Sequence, residues 1–114
     1  MDVASEFAAL KEMHPAAVLH TEGSKPVILL PATKFRAGGA AMQMNLLLYP
    51  SAHSGYATRL FFERKILGTA QNWTDGNWSQ HTVLSGSWWT PSWKDVSPEQ
   101  PWTSMLMAHL RSVA

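Results

Sequence analysis

The chain has 114 residues, a length that suits one domain built around one core. Its formal net charge is +1 and its nine Lys and Arg are scattered, so the composition gives no sign of nucleic-acid binding. It contains no cysteine, which excludes disulfides, thiolate metal sites and thiol nucleophiles.

The first segment, MDVASEFAALKEMH, is acidic and amphipathic. It lacks a basic start followed by an unbroken apolar run, so it does not read as a signal peptide. No run is long enough to span a membrane, and the absence of cysteine fits a cytoplasmic protein. Residues 2–13 read as a helix, with Val3, Phe7 and Leu10 on one stripe and Pro15 beyond its end. Residues 16–21 read as a first strand that turns at Gly23. Residues 26–30 read as a second strand, closed by Pro31. Residues 34–40 read as a loop broken at Gly38-Gly39. Met42 to Tyr49 reads as a central strand stopped by Pro50. Tyr56 to Ile66 reads as a fourth strand, with Leu60 and Phe62 on one face. Arg59, Arg64 and Lys65 form the densest basic cluster, read as a solvated strand face, with a partner surface as the second reading.

From Gly68 to Ser97 the chain is rich in Gly, Ser, Thr, Asn, Pro and Trp and has no sustained period. It reads as one long ordered loop, and such loops are often functional. Ser97, Pro98 and Gln100 then form a capping-box signature. Trp102, Met105, Leu106, His109, Leu110 and Val113 follow at helical spacing. The expected fold class is α+β: an N-terminal helix, a four-stranded antiparallel meander, a long loop and a C-terminal helix. The chain reads as one domain, with a helix at each end covering one face of the sheet.

Within the long loop, NWTDGNWSQHTVLSGSWW orders Asn72, Gly76, Ser79, Trp88 and Trp89. This order resembles the active-site segment of the ubiquitin-conjugating family, in which an Asn, then a Gly, then a nucleophilic Cys three residues on are followed by a Trp. LLLYPSAHSGY resembles the strand and Pro-containing turn before that family's fourth strand. WTPSWKDVSPEQPWTSMLMAHLRSV resembles its segment beyond the nucleophile. The stretch WSQH through HL is similar to divergent bacterial ubiquitin-conjugating-like proteins, which sit in operons with a ubiquitin-like protein, an activating enzyme and a JAB-type peptidase. Ser79 stands in the nucleophile's place, and the family's His-Pro-Asn reads Ala70-Gln71-Asn72.

The resemblance implies a shortened form of that family's fold and an acyl carrier. Ser79 would hold the C-terminal carbonyl of a ubiquitin-like protein as an oxyester, received from an activating enzyme and passed to a protein target. A serine hydroxyl needs a base to take its proton. His81 shares a face with Ser79 in an extended segment and is the candidate base. Asn72 is the candidate oxyanion donor, by analogy with the family's Asn. Each has a plainer alternative: Ser79 capping a turn, His81 bonding the loop backbone, Asn72 opening an Asx turn. Ser85 and Ser87 are rival nucleophiles. Asp75 and Asp95 are weaker candidates for orienting a base or acceptor.

Six tryptophans lie between Trp73 and Trp102, and they read first as anchors that pin the loop. The five histidines are dispersed, so neither a metal nor a cofactor is assigned. Two further functions stay open. One is a non-catalytic adaptor of the same fold that binds the ubiquitin-like protein or the activating enzyme. The other is a Trp-rich module for another ligand.

Overall fold

A computed structural model of the chain describes residues 2–66, 78–92 and 96–114. The first helix, α1 (Val3–Met13), is capped by Asp2, whose carboxylate accepts from the Ser5 amide at 3.1 Å and the Ser5 hydroxyl at 2.6 Å. Leu10 is its buried anchor, with Phe7 packed beside it. Six strands follow: β1 (Val18–Glu22), β2 (Lys25–Ala37), β3 (Ala40–Tyr49), β4 (Arg59–Phe62), β5 (Trp78–Val83) and β6 (Gly86–Pro91). The last element is α2 (Trp102–Val113). The strands form one sheet in the order β1-β2-β3-β4-β6-β5, antiparallel at every pairing.

This overturns the expected four-stranded meander with a long loop, and with it the shortened conjugating-family fold. The region expected to be loop carries the β5–β6 hairpin, which adds two strands to the sheet. Its turn, Leu84-Ser85, has positive φ at both residues (50° and 66°), the geometry of a two-residue hairpin turn. Neither residue is the Gly, Asn or Asp that normally marks such a turn, and the hairpin was hidden for that reason. The Leu84 amide donates to a Glu22 carboxylate oxygen at 2.7 Å, which ties the turn down.

Two further expectations change. Residues 34–40 are not a loop: β2 and β3 run to a turn at Gly38-Gly39, where φ is +57° and +81°. Pro31 does not end β2 either. Pro31 and Ala32 together oppose the single residue Asn45, a β-bulge. The Asn45 side chain accepts from the Ala32 amide at 2.8 Å, and Gln43 Nε2 donates to the Ala32 carbonyl at 3.2 Å. The extra residue shifts the side-chain parity, so Phe35 and Ala37 stay on the same face as Ile28 and Leu30.

That face carries the larger core. Leu46, Leu48, Leu60, Phe62 and Trp78 pack there against Leu10, Trp102, Met105 and Leu106 of the helices. The other face is buried too: Val27, Leu47, Phe61 and Val83 are 0–1% exposed on it. Glu22 at one end of the strand order touches Leu84 beside the other, so the sheet curls over this second cluster. No helix among the described residues is long and apolar enough to cross a membrane.

Candidate functional site

The rim of the second cluster holds the candidate chemistry. β5 is the last strand in the sheet order. Its period-two alternation sends Trp78 to the helix side and Ser79, His81 and Val83 to the other. Ser79 and His81 are both part-exposed, with Thr90 and Trp88 of β6 opposite them. Ser79 Oγ lies 3.0 Å from His81 Nε2. Asn72, the third candidate, lies outside the described residues, as do Gly76, Asp75 and Asp95. Ser85 sits in the hairpin turn. Ser87 pairs with Thr82, on the face opposite His81.

Arg59 completes the cluster. It was expected on a solvated face, but it is 3% exposed. It alternates with Leu60 and Phe62, which enter the helix-side core, and so it points to the Ser79 side. Its Nη1 lies 3.4 Å from His81 Nε2 and 3.4 Å from His53 Nδ1. Its guanidinium is stacked 4.0 Å from the centre of the Tyr56 ring. A guanidinium can only donate, so both imidazole nitrogens must be acceptors. His81 therefore carries its proton on Nδ1 and His53 on Nε2. The unprotonated His81 Nε2 is the atom that faces the Ser79 hydroxyl, so the hydroxyl donates to it.

His53 reaches the cluster from a tight turn, where it pairs with Tyr56 around Ser54 and Gly55. Its ring meets Tyr49, Phe61 and His81 edge-on at 5.0, 5.2 and 5.1 Å. Burial, then the Arg59 charge, hold the His81 pKa below its ordinary value. Burial holds His53 low as well, followed by His81 and Arg59, against the raising effect of Glu22. Both rings are therefore neutral at pH 7. Burial also lowers the Arg59 pKa, and no carboxylate among the described residues acts on it. Arg59 Nε has no hydrogen-bond partner among the described residues.

Sequence reasoning paired Ser79 with His81 because strand periodicity brings residues two apart together. It missed Arg59, His53 and Tyr56. The available signal was the alternation in RLFF, which sets Arg59 opposite in facing to Leu60 and Phe62. The four described tryptophans are packing groups: Trp78 and Trp102 are 6% and 5% exposed, Trp89 packs on the helix side and Trp88 on the other, while Trp73 and Trp93 lie outside the described residues. No group of three or more His, Cys, Asp or Glu among the described residues could hold a metal ion. An apolar cavity of about 290 Å³ between α1, β2 and α2 shares no residue with the Ser79 cluster. Comparison with protein-family models, curated proteins and solved structures finds no match to this chain.

Proposed function

We propose that this protein is a serine-based acyl carrier, in which Ser79 accepts the C-terminal acyl group of a ubiquitin-like protein from an activating enzyme and passes it to a target. The single observation that carries the reading is the 3.0 Å approach of Ser79 Oγ to an imidazole nitrogen set to accept its proton. The donor and partners come from the order Asn72, Gly76, Ser79, Trp88, Trp89, and not from the fold. In the first step Oγ bonds to the carbonyl carbon of the enzyme-bound thioester while His81 Nε2 takes the hydroxyl proton. The carbon–sulfur bond breaks, and the departing thiolate recovers that proton. In the second step a nucleophile of the target displaces Oγ, which takes a proton back.

Incubation with activating enzyme, ubiquitin-like protein and ATP should give a covalent adduct by mass spectrometry. An oxyester resists thiol reductants and yields to hydroxylamine, whereas an amide on lysine survives both. Ser79→Ala should abolish the adduct with the fold intact, and Ser79→Cys should convert it to a thiol-sensitive one. His81→Ala should slow its formation about 100-fold or more, the usual scale of a positioned base. A hydroxylamine-sensitive adduct that persists in Ser79→Ala would refute the assignment.

A non-catalytic adaptor is the second reading. One observation favours it: the Arg59 guanidinium points at the same His81 lone pair that Ser79 uses, which weakens the base. In that reading the ubiquitin-like protein or activating enzyme binds, and no adduct forms.

A further inference from the structure

We propose that Arg59 and His53, beside Ser79 and His81, form an anion site that takes the terminal carboxylate of an extended peptide. The observation behind this is a buried cation with no counter-charge among the described residues. Arg59 is 3% exposed, and among the described residues its Nε has no hydrogen-bond partner and no carboxylate acts on it. A buried, unpaired charge is costly, and an arriving anion removes that cost. A guanidinium takes a carboxylate through parallel N–H bonds. Beside it stands the His53 Nε2–H, a donor on a part-exposed residue. With both imidazoles neutral, the cluster carries one positive charge, which matches a carboxylate better than a phosphate dianion.

The strand edge argues for a chain end as the carrier of that carboxylate. A two-residue hairpin makes Val83–Gly86, His81–Trp88 and Ser79–Thr90 the hydrogen-bonded pairs. Pro91, which lacks an N–H, falls opposite Trp78 in a non-bonded pair, as this register requires. The backbone groups of Gln80 and Thr82 therefore point outward, and no strand among the described residues pairs with that edge. An extended peptide can pair there and present its end to Ser79. The choice of a peptide terminus rests on the acyl-carrier reading, whereas the anion site does not.

The test uses the full chain carrying Ser79→Ala, so that no acyl chemistry contributes and a failed adduct assay leaves the result readable. The imidazole nitrogens of His53 and His81 are followed by NMR across pH. The probes are a short glycine-ending peptide with a free carboxylate, the same peptide as its C-terminal amide, and inorganic phosphate. Among the described residues, the charged and titratable groups facing the two rings are Arg59 of β4, Glu22 of β1, Lys25 of β2, Tyr49 of β3 and each other. The free acid should shift both rings, raise both pKa values and bind more tightly as pH falls. The amide should bind about tenfold or more weakly, the scale of a lost charged hydrogen bond. Arg59→Gln should lose the difference between acid and amide, and Arg59→Lys should keep part of it. The acid–amide comparison needs no substitution at Arg59, so it stands even if Arg59→Gln does not fold. Equal binding of acid and amide, no shift with either, or phosphate binding without peptide binding would overturn the proposal.

Discussion

His109 shows what burial does to a single imidazole. It is 4% exposed on α2, and desolvation, then the Arg59 charge, lowers its pKa to about 4. The Thr58 hydroxyl has one proton, which goes to the Val96 carbonyl at 3.0 Å. His109 Nε2, 3.0 Å from the same oxygen, must therefore be the donor, so the ring is held neutral with its proton on Nε2. The unfolded chain takes up this proton near pH 6.5 and the folded one only near pH 4. Stability from this group is thus full above about pH 6.5 and lost as pH falls towards 4, by about 3 kcal/mol. Denaturant melts of His109→Gln against the parent should show a flatter dependence over that window. His81 differs in degree: its lowered pKa keeps it an available base as pH drops through 6.5, so adduct formation should fall only below that pH. A sequence shows which residues can titrate. It does not show that Arg59, His53 and His81, from three separate segments, meet at one point, because that depends on the register of β4, β5 and a turn.

At the scale of elements, α2 takes its N-cap from elsewhere in the chain. Its N-cap position is Pro101, which offers no side-chain acceptor, and the Trp102 amide donates to a Glu6 carboxylate of α1 at 2.9 Å. The capping signature at Ser97 is used, but in the turn before the helix: Ser97 Oγ accepts from the Glu99 amide at 3.0 Å, and Gln100 Nε2 donates to the Ser97 carbonyl at 2.9 Å. Pro98 did not start the helix, because the same short-range bonds satisfy a turn equally well. Glu6→Ala should cost about 1 kcal/mol by thermal or denaturant melting, the usual worth of a cap. Glu6→Gln, which keeps an acceptor, should recover much of it. The helices and the strands at Val18–Glu22 and Ala40–Tyr49 were legible because one local period decided each. The bulge at Pro31 and the turn at Leu84-Ser85 were not, since Asn45 and Glu22, which hold them, are distant in sequence.

At the scale of the molecule, the sheet is joined unevenly. β2 and β3 share a long ladder, whereas β4 meets β6 through one register pair, Phe62 with Trp89. The β5–β6 hairpin, which carries Ser79 and His81, is therefore expected to open as a unit of its own. Amide exchange should lose protection at His81 and Trp88 before Leu29 and Leu47. Equal protection across the sheet would show that the hairpin opens only with the whole. The bond from Glu6 to Trp102 has a different consequence, for the order of events during synthesis. Its partners are 96 residues apart, so the first helix made has to wait for the last before α2 acquires its cap. Closing so long a span is slow, because the chain must surrender its freedom before the contact forms. Until α2 arrives, Leu10 and the helix-side faces of Leu46, Leu48 and Leu60 lack their cover. A nascent chain stalled before Trp102 should therefore be the form that chaperones hold and proteases cut.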